Sequence, residues 1–230
     1  MISEQNPGSI KTRAANRRRG VRIFFTALML ASGLVSASAF AGNVGVRLYN
    51  DACAACHGNR GEGNQALRAP ALAGLDEAYL RRQLQHFRDG VRGVHPDDKD
   101  GAVMRTAVAT VSGDAAMREV IVAITALPVP QPVAAPTGAD LTAGRNYYNG
   151  ICSACHGGKA EGNLALNSPR LSVQNADYLV RQFSHFRTQI RGGHANDKYG
   201  RQMAKITKAI VDDKLAADIA AYIVQLGRTP

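Results

Sequence analysis

An internal duplication constrains this chain more than any other feature of its sequence. When the 230 residues are shifted by 99 positions, residues 45–127 align without a gap with residues 144–226, and 32 of the aligned pairs are identical. The fold must therefore be one that can be built twice. The prolines between positions 128 and 136 favour an extended connector. We predict a first domain at 42–127, a linker at 128–139 and a second domain at 140–230.

Each copy contains a C-x-x-C-H motif, and the two motifs use every cysteine in the chain. The motif is typical of c-type haem attachment, in which two thiols bond to the haem vinyl groups and the histidine binds the iron. We therefore predict two covalently attached haem c groups. The predicted attachment residues are Cys53, Cys56, Cys152 and Cys155, and the predicted proximal ligands of the irons are His57 and His156.

Two other uses of paired cysteines fit the sequence less well. A thioredoxin-like redox motif needs no histidine after it and is expected in a βαβ pattern, which the sequence lacks. A zinc site made of four thiolates would leave the repeated histidine after each cysteine pair without an explanation.

The second axial ligand of each iron is predicted from the same 99-residue shift. Met104 and Met203 are partners under the shift, and each follows its proximal histidine by 47 residues, whereas Met117 has Ala216 opposite it. A thioether ligand raises the reduction potential, and closing both axial positions leaves no site for a substrate. We predict Met104 and Met203 as iron ligands. The alternative is bis-histidine ligation through one of two matched pairs, His86/His185 or His95/His194.

Two further sets of matched residues are candidates for the surroundings of the haems. A proximal imidazole normally donates its second N–H to a backbone carbonyl, and Pro70 and Pro169 are placed to rigidify the segment that offers it. Arginines are suitable donors to haem propionates, with ordinary helix-surface charge as the alternative role. The arginine candidates are Arg82, Arg181, Arg88, Arg187, Arg92 and Arg191.

Apolar spacing predicts short helices around loops and no convincing strand, so the fold class is all-α. The expected helices cover 43–52, 76–88, 115–127, 177–187 and 213–226, and Asp76 is a candidate N-cap. Polar, glycine-rich stretches at 57–64 and 92–101 are long enough to wrap a prosthetic group. His86 lies off the apolar face of its helix and is expected at the surface or beside a propionate.

The N-terminus has the order of a secretory signal peptide. Five arginines up to residue 22 precede an apolar stretch at 23–35 and an Ala-Phe-Ala sequence at 39–41. The stretch is short for a membrane span, which needs about 20 residues. We expect residues 1–41 to be a signal peptide, cleaved after Ala41, and the mature protein to be periplasmic, soluble or held peripherally at the membrane. An uncleaved membrane anchor is the less favoured alternative.

The net charge gives no support to nucleic-acid binding. The chain has a formal charge of +10, but residues 42–230 carry only +5, and the ionised haem propionates would cancel most of it. Local arginine clusters are better suited to guiding a protein partner electrostatically.

The two halves together resemble tandem class I cytochromes c of the dihaem cytochrome c4 family and the related c553-like carriers. The resemblance covers nearly the whole chain after residue 41. It rests on CAACHGNRGEGN and CSACHGGKAEGN, on YLRRQLQHFRDGVRG and YLVRQFSHFRTQIRG, on the Pro-x-Leu segments at 70–72 and 169–171, and on the two methionines. It implies two tandem cytochrome c domains, each a small fold of three to four helices around one haem, with His57–Met104 and His156–Met203 ligation.

The resemblance also implies a function in outer-sphere electron transfer. Electrons would pass from a quinol-oxidising complex or a dehydrogenase to a terminal oxidase or reductase, through a free carrier or a cytochrome subunit of a larger complex. The alternative is a dihaem peroxidase or another substrate-oxidising dihaem enzyme. A peroxidase needs an iron with an open or openable coordination position and two unlike haem sites, whereas the two halves here are alike. A sulfur-oxidising site would be expected to use a further ligand such as a cysteine, and no cysteine is left outside the two motifs. We therefore expect an electron carrier, not an enzyme.

Overall fold

The computed structural model describes residues 35–135 and 137–229. The chain divides into a segment at 1–37, of which only the first three residues of a helix are described, and a compact unit from Ser38 onwards. The predicted signal peptide therefore lies largely outside the described residues and stays a prediction. Within the described ranges, no helix is both long and apolar enough to cross a bilayer.

The two halves contain the same helices in the same order. The first half has α1 (Val35–Ala52), α2 (Ala54–His57), α3 (Glu77–Arg88), α4 (Lys99–Ala109) and α5 (Gly113–Thr125). The second half has α6 (Leu141–Tyr147), a π-helical turn (Tyr148–Cys152), α7 (Ser153–His156), a 3₁₀ turn (Leu164–Leu166), α8 (Ala176–Arg187), α9 (Lys198–Thr207) and α10 (Asp213–Arg228). Two isolated bridges are the only β pairing in the part of the chain that the structure describes. The all-α prediction is confirmed.

Aspartate side chains begin several of these helices. The Asp76 carboxylate accepts the N–H of Tyr79 at 2.8 Å, so this residue is the N-cap of α3, as predicted. Asp98 caps α4 and Asp197 caps α9 in the same way. These last two helices correct the sequence-based expectation, because α4 begins inside the stretch at 92–101 that we expected to be a loop. The first helix also begins earlier than the predicted position 43.

Each half has its own apolar core between its first and last helices. Ile121 and Ile124 of α5 are buried in the first core, and Ile219 and Ile223 of α10 are buried in the second. Val173 of the second half packs into the first core, so the two cores are not fully separate. Burial of this kind stabilises a domain by about 1.5–3 kcal/mol for each aliphatic side chain.

A glycine allows the first and last helices of each half to touch backbone to backbone. A Cβ on Gly45 of α1 would lie 2.2 Å from the carbonyl oxygen of Glu119 on α5. A Cβ on Gly144 of α6 would lie 2.1 Å from the carbonyl oxygen of Asp218 on α10. Real Cβ atoms do not come this close, so any larger residue would push the two helices apart.

The connector between the halves is fixed to the second half at two points. The backbone N–H of Val133 donates to Asn175 at 2.8 Å, and Arg228 donates to the carbonyl of Pro132 at 2.8 Å. No helix occurs at 128–135 or 137–139, as expected of a proline-rich stretch. The exact domain boundaries at 42, 128 and 140 stay predictions.

Candidate haem sites

An apolar cavity in the first half brings together the residues that the sequence predicted to bind one haem. Cys53, Cys56, His57, Pro70 and Met104 all line it. The rest of the lining is mostly aliphatic and aromatic, and it includes Leu72, Leu80, Leu84, Phe87, Val108 and Ile124. Met117 also lines this cavity, but its side chain is buried in the first core and has no counterpart in the second half.

A second cavity repeats this arrangement. Cys152, Cys155, His156, Pro169 and Met203 line it together, as the 99-residue shift predicts. Its apolar lining includes Leu171, Leu179, Phe183, Phe186 and Ile206. Residues as far apart in the sequence as Cys53 and Met104 therefore meet in one pocket, and Cys152 and Met203 repeat this in the second half.

Each motif histidine is oriented by a proline carbonyl. Nδ1 of His57 donates to the Pro70 oxygen at 2.8 Å, and Nδ1 of His156 donates to the Pro169 oxygen at 2.9 Å. This bond fixes the tautomer and leaves Nε2 directed into the cavity with its lone pair available for a metal. Burial lowers the pKa of both histidines, which favours the neutral imidazole that metals bind.

The first cavity also shows which side chain faces the imidazole. Nε2 of His57 lies 3.3 Å from Sδ of Met104, which α4 carries across the cavity from α2. The exposed histidines are elsewhere: His95 accepts the backbone N–H of Asp97 at 3.2 Å, within its own loop. His194 accepts the N–H of Asn196 at 3.1 Å in the equivalent loop.

Two tyrosines that the sequence analysis missed hold the turn after each motif histidine. The Tyr49 hydroxyl donates to the carbonyl of Gly58 at 2.5 Å, and the Tyr148 hydroxyl donates to that of Gly157 at 2.6 Å. Both side chains are buried, and burial raises the pKa of both phenols, that of Tyr49 to about 12. The signal was available, because the two tyrosines are an identical pair under the 99-residue shift.

The cysteines do not have the properties of a redox-active pair. Burial, with a smaller effect of Cys56, raises the pKa of Cys53 to about 11. Burial and Cys155 raise the pKa of Cys152 to about 11 in the same way. A thiol–disulfide oxidoreductase needs a thiolate with a lowered pKa, so the structure agrees with the exclusion of that class.

The six candidate arginines separate into three pairs with different positions. Arg92 lines the first cavity and Arg191 the second, each stacked on a phenylalanine ring of its own half. The second pair is crossed, since Arg82 of the first half lines the second cavity and Arg181 of the second half lines the first. These four are placed where a haem propionate can be reached.

The third pair of candidate arginines forms ion pairs within its own half. Arg88 forms an ion pair with Asp114 at 2.7 Å, and Arg187 forms one with Asp213 at 2.6 Å. Among the described residues that line the two haem cavities neither arginine occurs, because each is held against the start of the last helix of its half. Their partners are also a matched pair under the 99-residue shift, which is the signal that could have revealed this contact.

A shared wall separates the two cavities. Six residues line both of them: Leu75, Tyr79, Gln83, Gln174, Tyr178 and Gln182. The guanidinium of Arg191 donates across this wall to Gln182 at 2.7 Å, to Gln83 at 2.9 Å and to the Tyr79 hydroxyl at 3.0 Å. The side-chain amide of Gln174 both donates to and accepts from the backbone of Ala71 in the other half. The two pockets are therefore adjacent.

The residues present fit a haem c group in each half. In each cavity, two thiols stand beside an oriented neutral imidazole, a thioether is part of the same lining, and most of the lining is apolar with arginine side chains among it. A soft thioether and an imidazole are the axial pair that raises the potential of a haem iron. Two such pockets in tandem define a class of protein, the dihaem c-type electron-transfer protein.

Comparison with known proteins agrees with this class. The family model for cytochrome c matches twice, at residues 43–121 and 141–227. The chain belongs to the cytochrome c family. It is a dihaem, cytochrome c4-like protein that carries two covalently attached haem c groups and transfers electrons.

Three similar proteins indicate how far the likeness extends. The thiosulfate dehydrogenase electron acceptor of Stutzerimonas stutzeri is 33% identical over 186 residues, which are 77% of this chain and 80% of that protein. Cytochrome c4 of Azotobacter vinelandii is 29% identical over 204 residues, covering 85% and 95% of the two chains. The solved thiosulfate dehydrogenase (TsdBA) of Marichromatium purpuratum is 28% identical with a TM-score of 0.64, but the match covers 80% of this chain and only 40% of that one.

Proposed function

We propose that this protein is a periplasmic electron carrier whose irons are ligated by His57 with Met104 and by His156 with Met203. The observation that carries the proposal is the contact of 3.3 Å between Nε2 of His57 and Sδ of Met104 inside the first cavity. Cys53, Cys56, Cys152 and Cys155 would hold the haems. When bound, each haem supplies a reversible ferric–ferrous couple.

The protein's own residues make the pockets suitable for electron transfer without substrate chemistry. The proline carbonyls hold the imidazoles in one orientation, so little reorganisation is needed when the charge of the site changes. The linings are mostly apolar, and with Met104 and Met203 as the second ligands no open position on the iron would remain for peroxide or another substrate. Arg92 and Arg191 would balance the negative propionates at the shared wall.

We propose a dehydrogenase as electron donor and a terminal oxidase or reductase as acceptor. The relative from Stutzerimonas stutzeri is an electron acceptor of thiosulfate dehydrogenase, which supports thiosulfate dehydrogenase as the first donor to test. A cbb3-type cytochrome c oxidase subunit of Bradyrhizobium, 30% identical over 133 residues, supports the oxidase branch. Export by the segment at 1–41 would place the carrier in the periplasm with both partners.

The ligands are tested by the optical spectrum of the ferric protein from a host that matures c-type haems. We expect two haems per chain and the weak long-wavelength band of methionine-bound ferric haem. Met104→Ala and Met203→Ala should each remove about half of that band. Met117→Leu is the matched control and should keep all of it. A full band in both alanine variants, or high-spin features in the native protein, would contradict the proposal and favour histidine ligation or a catalytic site.

The donor is tested by mixing the ferric protein with thiosulfate and a thiosulfate dehydrogenase. We expect haem reduction that requires both additions, with reduction by ascorbate as the control for intact haems. Reduction no faster than without the dehydrogenase would remove this donor and leave the ligation proposal standing. Mass spectrometry of the exported protein tests localisation, since cleavage after Ala41 predicts a chain that starts at Gly42.

A further inference from the structure

Two histidine–aspartate pairs cross between the halves, and the function described so far does not use them. Nδ1 of His86 on α3 lies 3.8 Å from Oδ1 of Asp197, and Nδ1 of His185 on α8 lies 3.8 Å from Oδ1 of Asp98. Both imidazoles are 13% exposed, and both carboxylates are buried. Of the two positions expected for His86, the surface one is therefore wrong, because the opposite half covers that face of α3, and the position beside a propionate stays a prediction. His86 corresponds to His185 and Asp98 to Asp197 under the 99-residue shift, so the two pairs are equivalent by the internal symmetry of the chain.

The aspartates in these pairs hold the helices that carry the candidate iron ligands. Oδ1 of Asp98 accepts the N–H of Gly101 at 2.9 Å, and Oδ1 of Asp197 accepts that of Gly200 at 2.8 Å. A Cβ on Gly200 would lie 1.9 Å from the Asp197 carboxylate, so the carboxylate is pressed onto the first turn of α9. Met203 follows on the next turn of the same helix. A displacement of the Asp197 carboxylate would therefore displace the first turn of α9, the helix that carries Met203.

The contact between each histidine and its aspartate depends on protonation. A distance of 3.8 Å is too long for a hydrogen bond, whereas a protonated imidazole would form an ion pair with the carboxylate. Around His86, burial lowers the pKa most, Asp197 opposes this effect, and Arg82, Arg191 and Arg92 lower it further. Nδ1 of His86 is also buried without a hydrogen-bond partner among the described residues.

The surroundings of His185 follow the same scheme. Burial is again the largest effect that lowers the pKa, with Arg181 and Arg92 acting in the same direction. Asp98 and Asp100 act in the opposite direction. Both imidazoles are therefore neutral at pH 7 and become charged only when the pH falls below their ordinary pKa of about 6.5.

We propose that His86 and His185 are positioning residues that act across the shared wall, each controlling the methionine-bearing helix of the opposite half in response to proton uptake. Protonation of His86 draws Asp197 and adds a positive charge beside the second pocket, and both effects act on the second haem. Protonation of His185 acts on the first haem through Asp98. A positive charge disfavours ferric iron, so each reduction potential rises as its cross-domain histidine takes up a proton. The inference rests on the proposed ligation by Met104 and Met203.

Because proton and electron uptake are linked, each must affect the other by the same factor. We expect the ferrous protein to bind the His86 proton about fivefold more tightly than the ferric protein, at the low end of typical coupling between linked sites. NMR titration of the imidazole signals in both oxidation states measures this factor. Equal pKa values for His86 and His185 in the two states would overturn the proposal.

Substitution tests whether the effect crosses between the halves. The potentials of both haems are followed between pH 5 and pH 8 by NMR, with the axial methionine signals assigned from the Met104→Ala and Met203→Ala variants. His86→Gln should remove the pH dependence of the second haem and leave the first unchanged, and His185→Gln should do the reverse. Asp197→Asn keeps an N-cap of equal quality and should have the same effect as His86→Gln.

The matched controls are His95→Gln and His194→Gln, which remove exposed histidines whose hydrogen bonds, among the described residues, stay within their own loops. They should leave both pH profiles unchanged. If His86→Gln changes the pH dependence of the first haem alone, or of neither haem, the inference is overturned. The methionine band then still tests the proposed ligation independently. If the band itself is missing from the native protein, the proposed ligation has failed instead.

Discussion

Replacement of Tyr148 by phenylalanine should destabilise the haem-loaded protein by about 1 kcal/mol. The Tyr148 hydroxyl donates to the half-buried carbonyl of Gly157 at 2.6 Å, and among the described residues this carbonyl otherwise accepts only a longer bond of 3.2 Å from the N–H of Ala160. A buried acceptor that loses its partner costs about 1–3 kcal/mol, and the remaining bond places this case at the low end. The ring and its contact with Tyr222 are unchanged in phenylalanine.

The neighbouring tyrosine supplies a matched control. The hydroxyl of Tyr147 is buried without a hydrogen-bond partner among the described residues. Tyr147→Phe removes this polar group and should be neutral or stabilise the protein by up to about 1 kcal/mol. Two substitutions with the same change in atoms, one position apart, are therefore expected to act in opposite directions.

Urea unfolding followed at the haem absorption band measures both free energies of unfolding. For a protein of this length, 1 kcal/mol corresponds to a shift in Tm of about 2–4 °C, so a thermal melt gives a second reading. If Tyr147→Phe lowers the free energy of unfolding as much as Tyr148→Phe does, or if Tyr148→Phe leaves it unchanged, the Tyr148 hydroxyl does not stabilise the turn after His156.

Three further predictions follow from the packing and the titrating groups. Gly144→Ala should lower the free energy of unfolding in urea by about 1–3 kcal/mol, because its Cβ would meet the Asp218 carbonyl. The Cβ of Gly150→Ala would meet no described atom within 4 Å, so this control should be neutral or slightly stabilising. The pKa of Tyr49 is about 12 in the folded protein and about 10 in the unfolded chain. The contribution of Tyr49 to stability is therefore complete below pH 10 and is lost as the pH rises towards 12. Tyr49→Phe should flatten the dependence of the free energy of unfolding on pH in that window, and an unchanged slope would contradict this. Arg191→Lys should destabilise the protein more than Arg92→Lys. Arg191 donates three hydrogen bonds of 2.7–3.0 Å at the wall, whereas two of the three from Arg92 are as long as 3.3 and 3.5 Å. Equal decreases in Tm in a thermal melt would contradict this.

The sequence alone was sufficient for the parts of the site that are encoded locally. The motif residues from Cys53 to His57 occupy consecutive positions, so their meeting at one pocket needs no long-range information. The role of Pro70 followed from a general need of proximal imidazoles, and the acceptor is the carbonyl of that residue itself. The N-cap of α3 followed from Asp76 standing directly before an apolar stripe.

The first of the two helices that carry the methionines was missed for a physical reason. The sequence of α4, Lys99–Ala109, has small and apolar residues on several sides, since the helix packs on a cavity as well as on α3. Such a helix lacks the single apolar stripe on which prediction by periodicity depends. The cross-domain contacts of His86 and Arg82 were missed for another reason, because no periodicity within one half can show which face the other half covers.

The shared wall makes each half part of the environment of the other half's haem. Arg92 of the first half donates to Gln182 of the second, and Arg191 of the second half donates to Tyr79 and Gln83 of the first, so a change at one of these positions affects both pockets. Substitutions at these positions are therefore constrained by both pockets, although another wall pair related by the 99-residue shift, Leu75 and Gln174, differs between the halves. Each cavity is lined by residues from both halves. Cutting the chain at the linker should therefore give two incomplete sites instead of two smaller carriers.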